Sequence, residues 1–195
     1  MRMIHVKKLH VIAVLILGIL FSSCKNQLFD EIERLQSKPI DLSTCVNSVC
    51  FNRGNEIESQ KIESQFKLVV YVDSFSCSQC FISHMIEVED CFKDFEALGV
   101  KSFLIIEPSV EKMEEIESLL RKYRYPFDIF LVENSCFSKA NPHLPSSSTL
   151  RSFLLTPGND VVVAGDPARN KKIKELMKNS LKEYKNGKVA QSIRF

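Results

Sequence analysis

The chain has 195 residues, 26% of them charged, and a formal net charge of +2 at pH 7. Acidic and basic residues alternate, as in the stretches 111–115 and 171–175, so the sequence lacks the basic stripe typical of nucleic-acid binding. If the first 23 residues are removed as a targeting segment, about 170 residues remain. That length is enough for one domain and too short for two ordinary cores. We therefore expect a single domain and no nucleic-acid partner.

The first 23 residues have the layout of a secretory signal. Basic residues at positions 2, 7 and 8 precede an apolar run over 9–21. That run is shorter than the ~20 apolar residues that a membrane-spanning helix needs. It ends in Leu20-Phe21-Ser22-Ser23-Cys24, which resembles the lipobox of bacterial lipoproteins. The resemblance implies that residues 1–23 are removed and that Cys24 carries lipid, including a palmitate-type acyl chain. An uncleaved anchor helix is the alternative.

Residues 24–60 are predicted to form a lipidated tether and N-terminal extension. Apolar residues at 28, 32 and 35 share one helical face, and the pattern ends at Lys38-Pro39. Cys45 and Cys50 follow in a Ser- and Asn-rich stretch. Because the two are close in sequence and the compartment is oxidising, we expect a structural loop disulfide. A second redox pair is the alternative.

Residues 61–190 show strands alternating with helices, followed by a hairpin and a closing helix. Two runs over 66–73 and 101–107 are too continuously apolar for half-exposed strands, so we expect buried central strands. Helical spacing of apolar residues predicts helices after each of them and over 171–184. Further strands are predicted at 127–132, 151–156 and 160–165. The pattern indicates an α/β/α domain of three layers with a central mixed sheet.

The Cys77-Ser78-Gln79-Cys80 sequence opens a helix directly after the first buried strand. Unpaired N–H groups and the helix dipole favour a thiolate at such a position. Cys77 is therefore the predicted nucleophile, and Cys80, one turn further on, is the predicted resolving thiol. A permanent structural disulfide is the alternative.

This order of elements around a CxxC resembles the thioredoxin fold, and in particular the small exported lipoproteins of Bacteroidetes related to membrane-anchored thiol-disulfide oxidoreductases. The resemblance covers about residues 66–184. Three features differ from thioredoxins. Phe75-Ser76 and Ser78-Gln79 stand where thioredoxins have Trp and Gly-Pro, and Ser148-Thr149 replaces the cis-proline before the hairpin. The buried acid on an early strand of thioredoxins has no assigned counterpart. Only the roles of Cys77 and Cys80 are carried over.

Other candidate residues have structural interpretations. Cys91 is expected to be a buried free thiol, and Cys136 is either unpaired or bonded to Cys91. His84 lies four residues after Cys80 and either modulates a thiolate or fills space. His143 lies in a loop expected to approach the CxxC.

We expect a redox enzyme of the cell envelope, lipid-anchored and facing the periplasm, with no cofactor and no resident metal. Exported proteins with disulfides are the expected substrates, and an envelope donor supplies electrons. One alternative is a Cu(I) chaperone using Cys77, Cys80 and His143; another is a redox-inert interaction module.

Overall fold

The computed structural model describes residues 27–46, 48–58, 62, 65–73 and 78–187, with the backbone alone described for 78–83. The helices are α1 over 27–36, α2 Ser43–Val46, α3 Ser78–Glu96, α4 Met113–Tyr123, α5 Cys136–Ala140 and α6 Lys171–Lys185. The strands are β1 Val49–Asn52, β2 Asn55–Ile57, β3 Lys67–Val72, β4 Lys101–Ile106, β5 Asp128–Leu131, β6 Ser152–Leu155 and β7 Val161–Ala164. Short 3₁₀ turns at Val110–Lys112 and Ser148–Leu150 precede α4 and β6.

The described strands form one mixed sheet in the order β2-β1-β5-β4-β3-β6-β7. The two continuous apolar runs become β3 and β4, which pair in parallel near the middle, and β5 extends this parallel part. The remaining pairs are antiparallel. Strands with neighbours on both edges and helices on both faces must be apolar on both faces, which explains why these runs do not alternate.

The helices divide between the two faces of the sheet. The units β3-α3-β4 and β4-α4-β5 step in the same direction, so right-handed crossovers place both helices on one face. There α3, α4 and α6 enclose a core cluster that includes Met85, Phe92 and Ile116. The opposite cluster joins α1, α2 and α5 to residues such as Val69 and Phe103. The predicted three-layer α/β fold with a central mixed sheet is confirmed.

The described part of the N-terminal segment is packed into this domain. Leu35 of α1 is fully buried, and Gln36 donates to the carbonyls of Val161 and Val162 on β7. Strands β1 and β2 add a hairpin to the edge of the sheet beside β5. The domain therefore includes residues before 61, the predicted start. Among the described helices, none combines the length and the apolar character required to cross a membrane.

The turn between β1 and β2 contains Gly54. Gly54 has φ +76°, a left-handed conformation that favours glycine, and an added Cβ would lie 2.6 Å from the carbonyl oxygen of Arg121 on α4. Glycine at this position thus permits close approach of the hairpin to α4.

Candidate functional site

A groove of about 880 Å³ lies where the carboxyl end of β3 meets the residues leading into β6 and α6. Helix α1 contributes Leu28 and Ile32, and α3 contributes His84. The other lining residues are those at 70–73, 148–152, 164–166, 169, 170 and 173. The groove combines apolar walls from α1 and the sheet with charged groups from Asp73, Arg151 and Arg169.

The predicted redox pair belongs to the part of the sequence that connects β3 with α3. Strand β3 ends at Val72 and helix α3 begins at Ser78, so Cys77 immediately precedes the helix in the chain. Cys77 itself lies outside the described residues, as does Cys24. The backbone of Cys80 belongs to the first turn of α3, while its side chain is outside the description. The residues on either side of positions 74–77 are therefore described, and one of them, Asp73, lines the groove.

Arg151 organises the floor of the groove. Its guanidinium forms an ion pair with Asp73, donates to the carbonyls of Pro145 and Ser146 at 3.2 Å each, and lies 5.7 Å from the ring centroid of Tyr71. These contacts join the end of β3 to the segment that enters β6. The chain on either side of the groove is thereby held in a defined position.

A buried carboxylate, Glu107, contacts the groove residue Tyr71. Glu107 is only 5% exposed, and it accepts hydrogen bonds from the Tyr71 hydroxyl at 2.7 Å and from the backbone N–H of Phe137 at 2.7 Å. The N–H of Ser138 donates to both oxygens of the same carboxylate at 3.3 Å. Burial, followed by donation to Glu107, raises the pKa of Tyr71, so the phenol stays protonated as a donor.

His84 occupies the wall that α3 gives to the groove. Its Nδ1 atom is buried and has no hydrogen-bond partner within the described part of the chain. Burial, and then the positive charge of Arg169, lower the pKa of His84, while Asp166 and Glu87 act in the opposite direction. Arg169 is itself paired with Glu87 at 2.7 Å. The imidazole is consequently neutral near neutral pH.

Three other cysteines, Cys45, Cys50 and Cys91, are buried free thiols, which we call the buried thiols. Burial raises the pKa to about 12 for Cys45 and Cys50 and to about 11 for Cys91. Cys45 and Cys50 belong to one core cluster. Since both are free in the structure, the predicted bridge between them is not formed here and stays a prediction for the oxidised protein.

His143 was predicted to lie in a loop that approaches the CxxC, and this stays a prediction because the CxxC thiols lie outside the described residues. The His143 imidazole is buried beside Lys38 and Arg34, and it does not line the groove. The loop residues that do reach the groove are those at 148–151, because the 3₁₀ turn before β6 redirects the chain. Cys136 is an exposed free thiol, not bonded to the buried Cys91. Within the described ranges, no cluster of three or more His, Cys, Asp or Glu residues could hold a metal.

Tyr71, Glu107 and Arg151 were not predicted as site residues from the sequence. These residues lie on or beside three different strands, and long-range pairing brings them together. A partial signal was present: Glu107 is an acid at the end of an otherwise apolar strand, where an unpartnered charge would be costly.

The fold and the position of the CxxC define a thioredoxin-like α/β protein: a central strand leads through the CxxC segment into a long helix, and an antiparallel hairpin and a final helix complete the sheet. The thioredoxin-like resemblance is thus confirmed at the level of the fold. No protein-family model matches the sequence, and no curated protein matches it significantly.

Solved structures similar to this chain include an uncharacterized thioredoxin-like protein from Porphyromonas gingivalis, with 14% identity, 70% of this chain and 91% of that chain covered, and a TM-score of 0.45. A thiol:disulfide interchange protein from Bacteroides sp. has 13% identity, coverage of 67% and 84%, and a TM-score of 0.41. Mycobacterium tuberculosis AhpC has 17% identity, coverage of 71% and 79%, and a TM-score of 0.43.

Proposed function

We propose that this protein is a lipid-anchored thiol-disulfide oxidoreductase of the cell envelope, acting through Cys77 and Cys80. One observation supports the proposal most directly: in the sequence, the CxxC joins the end of central strand β3 to the start of α3, and Asp73, the residue that follows β3, lines a groove large enough for a substrate segment. In α/β sheets, the carboxyl ends of parallel strands are the usual place for ligands because loops and helix N-termini converge there.

The proposed chemistry begins with the Cys77 thiolate, which the N-terminus of α3 stabilises. Its sulfur attacks one sulfur of a substrate disulfide, forming a mixed disulfide and releasing the other substrate sulfur as a thiolate. The Cys80 sulfur then attacks Cys77, the substrate's second sulfur leaves with the electron pair, and a Cys77–Cys80 disulfide remains. The substrate gains two electrons, and an envelope electron donor restores the dithiol.

The environments of the other thiols support this assignment. The buried thiols remain protonated at neutral pH and are shielded from a protein substrate. Cys136 is exposed but does not line the groove. A productive exchange therefore depends on the CxxC pair.

The proposed setting is the periplasmic side of a membrane, with Cys24 as the lipid attachment site and exported proteins as substrates. A lipidated N-terminus with more than one acyl chain anchors stably. Mass spectrometry of the purified chain should show loss of residues 1–23 and a lipid-modified Cys24. Cys24→Ala should be recovered as unprocessed precursor; processing and membrane retention identical to wild type would overturn the lipid assignment.

The deciding experiment uses the full-length protein in detergent and measures reduction of insulin disulfides. Cys77→Ser should abolish the activity, Cys80→Ser should accumulate mixed disulfides, and Cys136→Ser, the matched exposed-thiol control, should leave the rate unchanged. Full activity in Cys77→Ser would contradict the proposal.

The reduction potential of the pair decides between catalysis and a structural bridge. A value of roughly −270 to −120 mV is that of oxidoreductases, whereas one below about −300 mV indicates an inert bridge and favours the interaction module. Stoichiometric Cu(I) retention that the Cys77→Ser/Cys80→Ser variant loses would instead indicate metal delivery.

A further inference from the structure

His84 is a groove residue that the proposed exchange chemistry leaves without a role. We propose that the His84 imidazole accepts the proton of the Cys80 thiol when Cys80 resolves the mixed disulfide. This inference rests on the proposed function, since it concerns the second step of that reaction.

His84 follows Cys80 closely along helix α3. The two are residues i and i+4, so they lie one turn apart on the same helix face. Long side chains in a helix lean toward its N-terminus and cover the preceding turn. The expected direction of the His84 side chain is therefore toward the turn that holds Cys80.

The His84 side chain has a nitrogen atom that could accept a proton and that no described residue engages. The Nδ1 atom of His84 is buried and has no partner among the described residues, although buried polar atoms are nearly always hydrogen-bonded. His84 also lines the groove. An imidazole nitrogen that is shielded from bulk water beside a substrate groove is suited to proton transfer with a thiol.

The charges around His84 determine whether its imidazole is neutral. The groups that act on His84 are Arg169 from the segment before α6, Asp166 after β7, and Glu87 on α3 itself. Burial and Arg169 outweigh the two carboxylates and keep the ring neutral, which is the form able to take up a proton.

In the proposed step, His84 takes the Cys80 proton, and the Cys80 sulfur attacks the Cys77 sulfur. The Cys77–substrate bond breaks, and the substrate sulfur leaves as a thiolate with the bonding electron pair. The imidazolium then returns its proton to that thiolate, so His84 ends the cycle neutral.

The two steps are separable with 5,5′-dithiobis(2-nitrobenzoate) as the probe, used on the full-length protein in which Cys136→Ser removes the exposed thiol. Attack by Cys77 releases one thionitrobenzoate, and resolution by Cys80 releases the second. His84→Asn keeps a polar group near Nδ1 but removes the base. We expect an unchanged first phase and a second phase slowed by about tenfold or more at pH 7.

The wild-type second phase should slow as His84 becomes protonated at low pH. Arg169→Gln, which removes a charge that opposes protonation, should move this decrease to higher pH. Because Arg169 also lines the groove, the first phase of the same variant is measured as the control for altered binding of the anionic probe. A purely structural role for His84 would not produce that shift. Equal slowing of both phases, or a second phase insensitive to both substitutions, would overturn the inference. Absence of a second phase in wild type would instead contradict the Cys77–Cys80 mechanism.

Discussion

The buried thiols should resist alkylation in the native protein even after complete reduction. The pKa rises from 9.0 to about 12 for Cys45 and Cys50, which lowers the thiolate fraction at pH 8 by about a thousandfold. For Cys91, a pKa of about 11 lowers the thiolate fraction at pH 8 by about a hundredfold. Exposures of 0%, 2% and 3% add steric protection. Native alkylation should therefore be slower than alkylation in urea by at least about a hundredfold.

The assay is timed iodoacetamide labelling of the reduced full-length protein at pH 8, with each cysteine quantified by peptide mass spectrometry and normalised to its rate in urea. Cys136 is the internal exposed control. Labelling of Cys45 or Cys50 within about tenfold of Cys136 would refute the reasoning and restore the second redox pair as a candidate. A parallel air-oxidised sample tests the predicted Cys45–Cys50 bridge through protection that persists in urea.

Three further predictions concern stability, each measured by urea unfolding of the reduced protein. Tyr71→Phe should lower the free energy of unfolding by about 1.5–3 kcal/mol because Glu107, a buried carboxylate, loses a donor; the partly exposed control Tyr123→Phe should change little. Gly54→Ala should cost about 1–3 kcal/mol through its positive φ and the clash with Arg121; an unchanged midpoint would contradict the turn geometry. Stability should fall as pH rises above about 8, since the unfolded chain ionises near the model thiol pKa of 9.0 and the folded buried thiols do so only near 11–12. At pH 10 each buried thiol should contribute about 1.4 kcal/mol of this loss, and replacing all three by Ala should flatten the pH profile.

The central strands and long helices could be predicted because their signals are local. The run at 68–72 is apolar on both faces, and the apolar residues of α3 recur at helical spacing, so burial and periodicity agree there. The hairpin of β1 and β2 could not be predicted in this way. Its strands have only four and three residues, and β1 joins the sheet by pairing with β5, more than 70 residues away.

The candidate site was predicted only where it is contiguous in sequence. A CxxC between a buried strand and a helix is visible in the amino-acid order, whereas the groove combines α1, β3, α3 and the turns before β6 and α6. His143 is buried beside Lys38 in the segment that follows α1, so its nearness in sequence to the loop at 148–151 does not make it a groove residue.

Helix α1 shows why composition alone could not define the groove. The segment was predicted as a tether because it precedes the alternating strands and helices, yet its carboxyl half is fixed by Leu35 in the core and by Arg34 donating to the Leu144 carbonyl at 2.9 Å. That docking places Ile32 and Leu28, one and two turns before Leu35, along the groove. Since those two residues are the apolar face of the same helix, the contacts that hold the N-terminal segment on the domain also supply one wall of the candidate active site.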